Sequence, residues 1–383
     1  MPPNTPLTRR SLFQGAASLA TATLLPAPAV WAQSSRSAGN RSLVVAQLVD
    51  YSLAQQDVSK DFLIGSRAAW QDINTRGGIR GRRVEHVSLE TDGTPSSVQK
   101  ALASVRDNPA CVVLSGSVGD QMAGQVVAQL QKDSINIAHA APWLQNSSLD
   151  IDEQTFPIFA ARQEQIAYAL KTLSVMGMSE LGAVYATAQD HAAYHSEVER
   201  IANTMKLKLQ SFRGADNLRA MGQQLTPRTP AVLLFVGGTP ELAEFTQGLE
   251  KQARQRYIVA LADVNLQTML QMGAARNTPV IATQPVPLVN AGLPVVRAYR
   301  EVLARLFDEP PTSLSLAGYI AARYTMDVLS EVEGAPTRQS VLTAFQRRSK
   351  ADIGGFLVRF NPQRRSNTYV TQSMMTADGR LIG

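Results

Sequence analysis

From Ser42 onward, short apolar runs alternate with longer stretches in which apolar positions recur every three or four residues. Ser42–Leu48, Val84–Leu89, Cys111–Leu114 and Ile135–Ala138 read as strands. Between them, Ser59–Thr75, Pro95–Asp107 and Gln121–Lys132 carry helical periodicity. Phe62, Leu63, Ala69, Trp70 and Ile73 give the first helix an apolar face, and Val98, Ala101, Leu102 and Val105 do the same for the second. Gly77-Gly78 ends the first helix, as residues that accept positive φ do. Strands apolar throughout, each followed by a helix, predict a parallel sheet covered on both faces.

A linker rich in turn formers, Pro142 to Pro157, separates this block from a second one. Helices are expected at about Gln163–Met176, Ala192–Met205 and Pro240–Arg254, and strands at Leu181–Tyr185, Ala231–Val236, Ile258–Ala260 and Val280–Thr283. After Gln284-Pro285-Val286-Pro287 come three helices, Pro294–Leu306, Ser313–Val332 and Pro336–Arg347, then two strand-like runs, Phe356–Phe360 and Thr368–Met375. The expected fold is α/β with two doubly wound parallel-sheet lobes. Residues 41–158 with 286–345 would form the first lobe, and 159–285 with 346–383 the second, since each sheet otherwise lacks strands to finish it.

The first 32 residues stand outside this pattern. Arg9 and Arg10 precede a mildly apolar run from Phe13 to Leu25, and no acidic residue occurs before Val30-Trp31-Ala32, which offers suitable residues for signal-peptide cleavage. Thr8-Arg9-Arg10-Ser11-Leu12-Phe13 resembles a twin-arginine export signal, so a periplasmic chain beginning near Gln33 is expected. The run is too short to span a bilayer, which takes ~20 apolar residues. Loss of the segment removes two of the 37 basic residues and leaves 35 against 31 acidic ones. That excess supports no nucleic-acid partner, and the cluster Arg76, Arg80, Arg82 and Arg83 reads as a solvated turn. A 383-residue chain that is 44% hydrophobic has material for two packed domains. The lone Cys111 excludes an intrachain disulfide and any multi-cysteine metal centre.

Catalytic signatures are weak. Ser115-Gly116-Ser117-Val118-Gly119 sits where a strand feeds a helix, but a hydrolase nucleophile elbow needs glycine at position 115. A secreted serine hydrolase using Ser117 is the enzymatic alternative. His191 and His195 have the spacing of two zinc ligands on one helix face, yet Ala192-Ala193-Tyr194 supplies no glutamate base and no third ligand is evident. No Walker lysine motif and no GxGxxG occur, so neither a cofactor nor a metal is expected. The informative loops are those at the strand C-termini, where α/β sheets place ligands. Ser117 to Asp120 form a polar turn opening a helix, suited to an anionic group or to simple capping.

Ile73-Asn74-Thr75-Arg76-Gly77-Gly78-Ile79-Arg80-Gly81-Arg82 resembles the "IN..GG..G" turn of the leucine/isoleucine/valine-binding family of bacterial substrate-binding proteins. Val112 to Gly119 is similar to that family's strand and ligand loop, and Leu316 to Arg323 to its penultimate helix. Gly354 to Phe360, followed by Asp378-Gly379-Arg380, resembles its terminal hairpin. The resemblance implies a type I periplasmic-binding fold, two lobes joined by a three-crossing hinge, with a solute in the cleft. It implies an exported, monomeric, non-enzymatic protein that closes on a small amino-acid-like or carboxylate solute and serves the membrane permease of an ABC importer. A sensor subunit delivering its signal to a receptor is the alternative within the same fold.

Carried over by position, the resemblance implies first-lobe contacts at Ser117, Val118, Gly119, Pro142 and Trp143. In the second lobe, His191 falls at a ligand-stacking position, Thr239 at a covering position, and Asp263 where an acid can meet an ammonium group. Phe159, Ala161 and Arg162 replace the family's usual residues after the first crossing. Arg162 with His191 would suit a carboxylate-bearing solute.

Overall fold

The computed structural model describes residues 42–173, 178–214, 217–361, 369–376, 378 and 380–383. The expected export signal lies outside the described residues. A first sheet has the order β2-β1-β3-β4-β5, all parallel. Its strands are β1 (Leu43–Asp50), β2 (Val84–Thr91), β3 (Cys111–Ser115), β4 (Ala138–Ala140) and β5 (Thr155–Phe156). Every residue of β1 is buried, as a central strand with helices on both faces demands. Helices α1 (Gln56–Thr75), α2 (Pro95–Asp107) and α3 (Asp120–Lys132) connect these strands.

The second block supplies α4 (Arg162–Leu173), β6 (Glu180–Tyr185), α5 (Ala188–Thr204), β7 (Lys208–Phe212), α6 (Leu218–Gln223), β8 (Val232–Val236), α7 (Thr239–Leu249), β9 (Tyr257–Ala260), α8 (Leu266–Gln271) and β10 (Val280–Gln284). The chain then forms α9 (Pro294–Leu306), α10 (Ser313–Glu331), α11 (Arg338–Arg347), the hairpin β11 (Lys350–Ile353) and β12 (Phe356–Arg359), and finally β13 (Thr371–Met375) and β14 (Leu381–Ile382). The second sheet runs β14-β13-β10-β9-β8-β6-β7, with β13 and β14 antiparallel. Among the described residues, no helix is long and apolar enough to cross a membrane.

Helix α10 crosses α1 so closely that a Cβ on Gly65 would lie 1.7 Å from the Ser315 carbonyl oxygen, and one on Gly318 would lie 1.9 Å from that of Phe62. This contact, with α9 and α11, builds the core on one face of the first sheet. The hairpin β11–β12 joins that core. Ala351, Ile353, Phe356 and Val358 point inward, and the Gly354 carbonyl accepts the Val295 amide at 3.0 Å. The assignment of 346–383 as one block of the second lobe therefore needs correction, since only β13 and β14 extend the second sheet. The physical reason is the hairpin's period-two apolar face, which the core beside α9 and α10 covers.

Three further differences matter. Strand β7 was absent from the expected pattern because it is an edge strand with mostly solvated side chains. The fourth strand lies at Ala138–Ala140, three residues later than expected at its start. Helix α5 starts at Ala188 instead of Ala192, held by a capping box in which the Thr187 hydroxyl accepts the Asp190 amide and the Asp190 carboxylate accepts the Thr187 amide.

Candidate functional site

The loops at the C-terminal ends of both sheets face one another. Between them lies a cavity of about 50 Å³. The first-sheet side contributes Ala54 and Gln55, from the β1–α1 loop. The second-sheet side contributes Thr187, Asp190 and Tyr194 around the start of α5, Gly237, Gly238 and Glu241 around the start of α7, and Leu261 and Asp263 after β9. Arg162, the first residue of α4, completes the wall.

Arg162 is the electrostatic centre of this region. Its Nη2 donates to Asp120 Oδ2 at 2.8 Å and its Nη1 to Glu197 Oε2 at 2.6 Å, with all three side chains buried. Its guanidinium carbon sits 4.3 Å from the centre of the Tyr194 ring. The two carboxylates hold the surrounding chain as well. Asp120 Oδ1 accepts the amides of Gln145 and Asn146, and Glu197 Oε1 accepts that of Ser147. Burial works against the charged guanidinium, but Asp120 and Glu197 outweigh it and hold its pKa above the ordinary value.

Asp263 is half-buried. Its Oδ1 accepts from Trp143 Nε1 at 2.9 Å and from Gln145 Nε2 at 3.0 Å, linking the segment after β4 to the loop after β9. Burial raises its pKa, and the nearby Asp120 adds to the rise, while the two donors and Arg162 oppose it. Burial likewise raises that of Asp190, against the Thr187 hydrogen bonds. Two buried atoms at this cavity have no hydrogen-bond partner among the described residues: Gln55 Oε1, an acceptor, and Arg162 Nε, a donor.

A family model described as "Periplasmic binding protein" matches residues 42–379. The chain belongs to that family. Solved structures similar to this periplasmic binding protein agree in fold. An extracellular ligand-binding receptor from Verminephrobacter eiseniae is 19% identical, with a TM-score of 0.80 over 90% of this chain and 100% of its own. A fatty acid ABC transporter substrate-binding protein from Thermomonospora curvata is 15% identical, with a TM-score of 0.75 over 90% of this chain and 92% of its own. The branched-chain amino acid transporter substrate binding protein from Streptococcus pneumoniae, solved with isoleucine, is 12% identical, with a TM-score of 0.73 over 90% and 98%. No curated protein sequence gives a significant match. The fold is that of ABC-transporter substrate-binding proteins, of type I, and the named solutes of these neighbours differ.

Within this periplasmic binding protein, two of the nine expected contact residues, Arg162 and Asp263, line the cavity. Both terminal nitrogens of Arg162, the residue expected to suit a carboxylate-bearing solute, are paired with Asp120 and Glu197. The loop Ser117–Gly119 is tied into the first sheet. The Val118 amide donates to the Leu48 carbonyl, the Asp50 amide donates to the Val118 carbonyl, and the Ser117 carbonyl accepts the Trp143 amide. Ser117 is fully buried with its hydroxyl unpartnered, so it neither reaches the cavity nor meets a catalytic base. A Cβ on Gly119, whose φ is +119°, would lie 2.7 Å from the Asp50 Cβ and 3.0 Å from Asp50 Oδ2. The carboxylate of Asp50 thus already sits against the turn expected to receive an anion.

Pro142 and Trp143 are buried, with the Trp143 ring edge-on to Phe62 and Phe159 in the first core. His191 stacks on His195 at 4.5 Å instead of facing the cavity, and the Tyr185 hydroxyl lies 3.3 Å from His195 Nδ1. No group of three potential metal ligands occurs among the described residues. Thr239 is buried, its hydroxyl accepting the Asn265 amide. The cavity residues missed in the sequence are Gln55, Asp190, Tyr194 and Glu241. Asp190 was detectable, since Thr187-Ala188-Gln189-Asp190 has capping-box spacing and moves the helix start four residues back.

Proposed function

We propose that this protein binds a small solute between its two sheets and delivers it to the membrane permease of an ABC importer. The two halves, formed around the first and second sheets, would act as lobes that close on the solute. The observation that carries this reading is the shared cavity: the β1–α1 loop of one sheet and the loops after β6, β8 and β9 of the other line the same space. Closure follows from differential affinity. A solute that contacts both walls binds the closed arrangement more tightly and shifts the equilibrium toward it. The N-terminal 32 residues would direct export to the periplasm, with Arg9 and Arg10 as the route signal.

The test is a distance measurement. Leu53, 88% exposed on the first-sheet side, and Met272, 47% exposed beyond α8, suit a pair of spin labels on introduced cysteines. Cys111 is buried and does not compete for label. A bound solute narrows and shortens the distance distribution; a distribution unchanged by every bound solute contradicts closure. For export, Arg9→Lys with Arg10→Lys retains precursor in the cytoplasm, whereas undiminished export removes the twin-arginine route.

A further inference from the structure

We infer that the cavity selects a small organic cation, a protonated amine carrying an uncharged hydrogen-bond acceptor, and discriminates against carboxylates. The inference rests on the solute-binding reading above and narrows it to a class.

Charge is the first argument. Among the described residues lining the cavity, Arg162 is the only basic one, and its charge is already shared between Asp120 and Glu197. The other ionisable lining groups include three carboxyl side chains, Asp190, Glu241 and Asp263. A carboxylate entering here would become a third anion around one guanidinium and would face these acids in a poorly hydrated space. An ammonium group meets the opposite field.

Unsatisfied atoms supply the second, independent argument. Gln55 Oε1 is buried without a donor, on the wall opposite the acids. Both hydrogen bonds to Asp263 fall on Oδ1, which leaves Oδ2 for a donor from the cavity. An ammonium group offers three N–H donors, enough for Asp263 Oδ2, Gln55 Oε1 and one more acid. Arg162 Nε, buried and unpartnered, calls for an acceptor. A hydroxyl or amide oxygen meets that need without adding negative charge.

The test uses probes matched in carbon skeleton and differing in charge: ethanolamine, glycine and glycolate, then leucinol, leucine and 2-hydroxy-4-methylpentanoate. Thermal shift and calorimetry on the full chain should rank each amino alcohol at least tenfold above its amino acid, with the hydroxy acid weakest. Asp263→Asn should weaken the amino alcohol by about 10- to 100-fold, the range of hydrogen bonds to charged groups. Leucine or either hydroxy acid binding as tightly as its amino alcohol overturns the charge inference and leaves the solute-binding reading intact. No response to any of the six also overturns it. The label-distance measurement with a pool of small metabolites then decides the solute-binding reading separately.

Discussion

The two walls of the cleft are built differently. On the first-sheet side, the turn Ser117–Gly119 is stitched to β1 by backbone hydrogen bonds, and Trp143 is sunk among Phe62 and Phe159. On the second-sheet side, helix starts and strand ends present Asp190, Tyr194, Glu241 and Asp263 to the cavity. Apart from Gln55 in the β1–α1 loop, the first wall is frame and the second carries the charged groups. Arg162 lies between them, holding Asp120 of α3 and Glu197 of α5 together. The residues that most resemble a ligand loop in sequence thus belong to the frame.

Removing the link between the walls should have the largest effect. Arg162→Met leaves two buried carboxylates without a counter-ion, and denaturant unfolding should show a loss of ~3–5 kcal/mol. A loss below about 1 kcal/mol would mean that Asp120 and Glu197 are solvated in solution and that the bridge is incidental.

The next effect is on pH dependence. Asp263 has its pKa raised by burial and by Asp120, against Trp143, Gln145 and Arg162, so it keeps its proton to higher pH than an ordinary carboxyl. An ammonium ligand prefers the ionised form. Affinity for ethanolamine or leucinol should therefore climb as pH rises from the ordinary carboxylate range through the raised value. Without ligand the sign reverses: the stability contributed by a raised pKa is present at acid pH and is lost as pH rises through it. Asp263→Asn keeps an Oδ1 acceptor for both donors. It should flatten the affinity profile and raise the melting temperature of the free protein near neutral pH.

Smaller effects separate the walls further. Gln55→Leu removes an acceptor that has no partner in the protein, so it should leave stability unchanged or slightly higher while weakening amino-alcohol binding by about two- to tenfold. Ser117→Ala removes a buried, unpartnered hydroxyl and should alter neither stability nor affinity beyond about 0.5 kcal/mol. A large loss of affinity from Ser117→Ala would place the ligand on the first wall after all.

The same contrast explains what could be read from the sequence. Strand–helix alternation was legible because buried parallel strands are apolar throughout, and the ordered family resemblances extended that reading over the chain. Edge strand β7 and hairpin strand β11 were not legible, being short and half polar. At the site, Asp263 and Arg162 both line the cavity, and the pairing of Arg162 with Asp120 and Glu197 was not legible. Its partners lie 42 and 35 residues away in sequence, and no local pattern signals that a lone arginine is already paired. Asp190 was hidden by starting α5 at its first apolar stripe instead of at its cap.

The division of labour between the walls is tested most directly by calorimetry of ethanolamine and leucinol against four single variants. Asp190→Asn, Glu241→Gln and Asp263→Asn should each weaken binding, Asp263→Asn most, while Ser117→Ala should bind like the unaltered protein. Unchanged affinity in all three acid variants, with loss in Ser117→Ala, would contradict the account.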